Sequence, residues 1–136
     1  MGKRFLAILL GILLLVTAAG CETAEEKTEE IRDLEYTVVK EEDIPEALKT
    51  QIEEKKTERF KLTYQDGEYL YIASGYGKQE TGGYSIEMEE LFLSSNSVHF
   101  STQLLGPKKG ERVVKEASYP YIVIKLETVE EPVVFE

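Results

Sequence analysis

The chain has 136 residues, with 16 Lys and Arg against 26 Asp and Glu, one His, one Cys and no Trp. That length allows one ordinary domain, and a net charge of -10 argues against nucleic-acid binding, which needs clustered cations to neutralise phosphate. One His and one Cys exclude the usual four-ligand zinc site and any intramolecular disulfide, and no metal or other cofactor is expected.

Lys3 and Arg4 precede Phe5–Val16, a run without a charged or polar side chain, and Ala18, Ala19 and Gly20 then lead to Cys21. A basic start, an apolar run and small residues describe a secretory signal over 1–20. The alternative, an uncleaved anchor helix, would need about 20 apolar residues. Ala18-Ala19-Gly20-Cys21 resembles the bacterial lipobox. The resemblance implies cleavage before Cys21 and lipid on its thiol, with palmitate-type chains each burying methylenes at about 0.8 kcal/mol apiece. It implies an exported lipoprotein, held to the outer face of the cytoplasmic membrane through the lipid on Cys21. The mature chain would carry 14 basic and 26 acidic side chains, a net -12, with -7 of it in residues 21–59.

Glu22–Asp33 has one large apolar residue, Ile31, and reads as most of a flexible acidic tether over 21–34. A charged helix running toward Leu34 is the alternative. A β-rich domain is expected over 35–136. Tyr36–Val39 is β-prone, and Asp43 before Ile44-Pro45-Glu46 has the chemistry of a helix start. Ile44, Leu48 and Ile52 recur every four residues with Ala47 beside them, and Lys55–Lys56 suit the negative end. This N-terminal amphipathic helix should cover one face or end of a sheet.

Phe60, Leu62 and Tyr64 alternate, Asp66-Gly67 marks a hairpin, and Tyr69–Ala73 returns. Ser85–Ser94 changes phase between Met88 and Leu91, which predicts a bulge near Glu89–Glu90. Val98–Leu105 and Tyr121–Leu126 read as strands, Arg112–Ala117 as a segment able to pair, and Val133–Phe135 as an edge strand after Pro132. The fold class is mainly β (α+β): an antiparallel sandwich or curled sheet of six to eight strands with one helix.

Gly75–Tyr84 (GYGKQETGGY) holds four glycines in ten residues. It is either a long irregular connection or a binding loop, with Tyr76 and Tyr84 as anchors and glycines such as Gly77 exposing backbone N–H groups. TGGYSIEMEEL (81–91), the strand 98–105, Pro107, Gly110 and SYPYIVIKL (118–126) follow in an order that resembles the C-terminal domain of PrcB-type protease-complex subunits. The likeness covers about residues 70–127; Gly75, Thr81, Gly82, Gly83, Tyr84, Pro107, Gly110, Tyr119 and Pro120 match its pattern, and 35–69 has no place in it. It implies a lipoprotein accessory subunit that associates with and stabilises a secreted protease. Thr81–Tyr84 is also similar to the Thr-Thr-Gly-Tyr loop of chagasin-like cysteine-protease inhibitors, although this chain has no Trp for their second loop.

His99 lies in a strand with Ser97 and Ser101 on its own face, without a G-x-S-x-G elbow. The acid pairs Glu41-Glu42, Glu53-Glu54 and Glu89-Glu90 point their members in different directions, and no D-x-D-x-D-G calcium loop is present. The expectation is a non-enzyme that binds an extracytoplasmic protein, which the resemblance implies is a protease, through Gly75–Tyr84 with Pro107–Gly110 and Tyr119–Pro120. Direct inhibition by the same loop, or small-molecule binding in a pocket between the sheet and helix 44–56, are the alternatives.

Overall fold

The computed structural model describes residues 30–136; the expected signal over 1–20, the lipidation residue Cys21 and the tether as far as residue 29 lie outside the described residues. The described chain forms, in order, β1 (Glu30–Asp33), β2 (Thr37–Val38), a 3-10 turn (Glu41–Asp43), α1 (Glu46–Lys55), β3 (Arg59–Asp66), β4 (Tyr69–Tyr76), β5 (Ser85–Ser94), β6 (Val98–Leu105), β7 (Tyr121–Glu127) and β8 (Val133–Phe135). One sheet has the order β1-β5-β6-β8 and the other β2-β7-β4-β3.

Two β-sheets each have one side to bury, and here they bury it against each other. Leu70 and Ile72 of β4 with Ile122, Ile124 and Leu126 of β7 meet Leu91, Leu93, Val98 and Phe100 of the opposite sheet. On the outer side of the second sheet, Ile44, Leu48 and Ile52 pack against Phe60, Tyr71, Ala73 and Val123. Leu48 and Ile52 of the expected stripe therefore cover a sheet face from the helix, Ile44 joins them from extended backbone before it, and Ala47 stays exposed. β4 and β7 are consequently buried on both sides, which is why their apolar residues run on consecutively instead of alternating.

The mainly β reading holds, with one correction to its antiparallel character: β8 runs parallel to β6, pairing Val98 with Val133 and Phe100 with Phe135. After β7 the chain leaves its sheet and joins the edge of the other, where a three-residue strand suits the position after Pro132. The expected bulge is present between Met88 and Glu90.

Other boundaries shift for local reasons. Asp43 belongs to the 3-10 turn, and α1 begins after Pro45, whose side chain makes no capping hydrogen bond. Asp66 is the last paired residue of β3, so the hairpin turn is Gly67–Glu68; Gly67 has φ 61° and supplies the positive angle that a two-residue hairpin needs at its first position. Glu30–Asp33, read as the end of the tether, pairs with β5 instead, and Leu34 is buried behind it. Main-chain pairing there does what the sparse apolar side chains do not.

Candidate functional site

At one end of the sandwich β4 finishes, β5 begins, β6 finishes and β7 begins, so their connections converge. Gly75 and Tyr76 are strand residues and not loop. Gly75 pairs with Phe60 and Tyr121 on its two sides. The Tyr76 hydroxyl lies 2.6 Å from Thr102 Oγ1 and ties the two sheets together, while the Arg59 guanidinium sits 4.9 Å from its ring centre. Tyr76 is thus committed inside the molecule and is no free anchor.

Beyond it, Gly77 is buried beside the Glu58–Arg59 backbone, and Gln79 and Ser118 exchange two main-chain hydrogen bonds of 2.8 and 3.0 Å. Ser118 Oγ donates to the Thr81 carbonyl at 2.7 Å, and the Gly82 N–H donates to Val114 at 2.9 Å. The Pro120 carbonyl accepts from the Tyr76 N–H at 3.1 Å. Arg112–Ala117 therefore forms no strand. It lies along the Gly-rich loop, and its backbone occupies one N–H that a free binding loop would offer. Pro107 and Val113 close over Gly83, and the Tyr84 ring packs beside Gly106. Gly110, at φ 83°, has nothing within 4 Å of its Cβ position and lies in the turn closed by the Glu111 N–H on the Lys108 carbonyl.

Thr81, Gly82, Gly83, Tyr84, Pro107 and the 113–120 segment are thus one assembly. Val113 and Val114 were not legible as members, since two adjacent valines read as strand, whereas Ser118 opens the 118–126 motif. Val114 is 64 % exposed and Leu105 38 % exposed at this end, giving it an apolar element open to solvent. The glycines differ in what holds them. Gly83 has φ 91° and a Cβ there would meet Val113 Cγ1 at 2.8 Å, whereas a Cβ on Gly82 meets nothing nearer than 3.7 Å. Gly83→Ala should cost about 1–2 kcal/mol from its backbone angle alone, and Gly82→Ala should stay within about 0.5 kcal/mol, as measured by urea denaturation.

Tyr119 and Pro120 are half-buried where the C-terminal end of α1 meets β7. Lys56 Nζ lies 5.4 Å from the Tyr119 ring centre and 3.0 Å from Glu53 Oε1. Its hydrogen bond to Glu53 raises the Lys56 pKa. Burial pushes the neighbouring Tyr121 phenol above the usual 10.0, and the Glu41 and Glu53 carboxylates add to it. A phenol held protonated in the folded state gives up its proton more readily on unfolding, so raising the pH past about 10 should lower stability. Urea midpoints should fall from about pH 9 to about pH 11, and fall less in Tyr121→Phe.

His99 sits in a second constellation, away from the loops. Its Nδ1 is 2.6 Å from Glu136 Oε2, its Nε2 is 3.0 Å from Ser97 Oγ and 3.2 Å from Ser94 Oγ, and Phe92 stacks on the ring at 4.6 Å. An acid, an imidazole and a hydroxyl in that order resemble a hydrolytic triad. The serines are 1 and 6 % exposed and also bond Asn96 or each other, so neither hydroxyl faces a space where an acyl group would fit. The geometry is that of a satisfied network fastening Glu136 to β6.

Residues 70–127 match the family model described as PrcB C-terminal. No curated protein and no solved structure matches the chain. The matched residues run from the second position of β4 to the last of β7, so they comprise the two inner strands of each sheet and the whole loop assembly. Every element lying wholly outside the match among the described residues is an edge strand, the 3-10 turn or α1. The likeness of this chain to the PrcB C-terminal family therefore rests on residues 70–127, its four inner strands and the loops they carry.

Proposed function

We propose that the chain is an exported, lipid-anchored protein whose sandwich binds another extracytoplasmic protein, a protease in the class that the family's resemblance implies. The partner meets the end formed by Gly75–Tyr84, Pro107–Gly110 and 113–120, and the role is that of an accessory, stabilising subunit. The observation that carries the reading is the content of the family segment: an inner framework together with the β4–β5 and β6–β7 connections that converge at one end. Val114 and Leu105 lie open there, beside the half-buried Tyr84 and Pro107. Apolar and tyrosine side chains rimmed by polar ones are what a protein-binding patch requires.

Inhibition by the same surface is the second reading, favoured by the Thr81–Tyr84 sequence. A small-molecule pocket beneath the helix is disfavoured, because Leu48 and Ile52 are fully buried against the sheet. Capture from membranes with the full chain separates these readings. A protease that co-purifies with its activity intact, and that Val114→Glu releases, supports the accessory role; a captured but inactive protease supports inhibition. Equal capture by wild type and Val114→Glu removes the loop end from the interface. Metabolic palmitate labelling should mark the wild type and not Cys21→Ala.

A further inference from the structure

Where the interior of a sandwich is ordinarily apolar, one margin of this one is cationic. Between β3 and β8, the outermost strands on the same side of the two sheets, lies a cavity of 130 Å³. Arg59 and Lys61, two positions apart on β3, both line it. Their ordered partners are aromatic faces: Arg59 Cζ is 4.9 Å from the Tyr76 ring centre and Lys61 Nζ is 5.7 Å from that of Phe135. Neither cation takes part in an ion pair among the described residues, where the pairs are Lys56–Glu53 and His99–Glu136. In a chain of net charge -10, two such cations in one recess are notable.

The walls supply the rest of a binding site. Ser74 brings a hydroxyl, Tyr76 and Thr102 bring a pair of hydroxyls that bond each other at 2.6 Å, and the rings of Phe100 and Phe135 bring apolar contact. The one acid on the wall, Glu136, is taken up by His99 through its Oε2. A guanidinium fork and an ammonium recognise an oxyanion, and the flanking rings suit an anion that carries carbon. We propose that this cavity is a carboxylate-binding site, with Arg59 as the forked donor and Lys61 as the second charge. The carboxylate has two sources, a free short-chain acid or the side chain of a glutamate on a partner. The competing role for inward-pointing charges on an edge strand is to keep that edge from pairing with other chains.

Titration calorimetry on the full chain in detergent tests this, with sodium propionate, a blocked glutamate (N-acetyl, C-amide), propionamide and inorganic phosphate as probes. Saturable propionate binding is expected, weakened about tenfold by Arg59→Gln and several-fold by Lys61→Gln, with propionamide and phosphate weaker than propionate. Both positions are exposed, so the two variants should keep the wild-type urea midpoint, which is measured alongside. Tighter binding of blocked glutamate than of propionate assigns the carboxylate to a partner; the reverse assigns it to a free acid. Absence of propionate binding, binding indifferent to both substitutions, or phosphate binding as tightly as propionate would each overturn the proposal.

Discussion

Phe100→Ala should destabilise the domain by about 3–5 kcal/mol, the range for removing a buried aromatic ring from a packed core. Phe100 is 2 % exposed and belongs to the layer between the sheets. It pairs with Leu91 on one side and Phe135 on the other, meeting the Phe135 ring edge-on at 5.5 Å. The substitution therefore leaves a cavity and also loosens β8, the shortest strand of its sheet. Most natural domains have only about 5–15 kcal/mol in total, so a measurable share of the variant should be unfolded at warm temperatures. Urea denaturation of the full chain gives the value. A loss below about 1 kcal/mol would mean that the two sheets do not share a core at this position.

Gly75→Val should cost about 3 kcal/mol or more, at the upper end of overpacking. A Cβ at Gly75 would lie 2.6 and 2.8 Å from Cδ2 and Cζ of Phe60, well inside contact distance. The backbone cannot retreat, because Gly75 is paired with both Phe60 and Tyr121. The ring has to move instead, and it is part of the layer beneath α1. Removing that ring in the same chain should recover part of the loss, so the combination Gly75→Val with Phe60→Ala should be less destabilised than the sum of the two single changes. Strict additivity in urea denaturation would contradict this packing. Gly75 is one of the glycines that match the family pattern, and at this position the pattern records packing and not recognition.

How far the sequence alone carries the fold can be judged residue by residue. The recurrence of Leu48 and Ile52, the phase change at Glu89 and the alternation of Phe60, Leu62 and Tyr64 each state a period that the structure keeps, whereas Ile44 joins the same cluster from extended backbone ahead of the helix. The parallel placement of β8 was not legible, since a short apolar triplet says nothing about its direction. β1 was hidden because its side chains are polar or exposed, Ile31 at 59 %, and main-chain hydrogen bonds leave no mark in composition. At the loop end, the matched glycines, Tyr84 and the motif opening at Ser118 were visible, but the place of 113–117 against them was not, because the Gly82 N–H reaches the Val114 carbonyl and Val113 packs on Gly83 without leaving a periodic pattern. Arg59 and Lys61 read as the solvent side of an alternating strand; only the position of β8 opposite them makes that side a recess.

The most direct test of the proposed binding surface is site-specific photo-crosslinking in the native membrane. A photoreactive residue replaces Val114 at the loop end, or Glu68 in the Gly67–Glu68 hairpin at the opposite end of β4. Position 114 should yield one discrete adduct with an extracytoplasmic protease, identified by mass spectrometry, and position 68 should yield none. The same adduct from both positions, or from position 68 alone, would contradict binding through the Gly75–Tyr84 end.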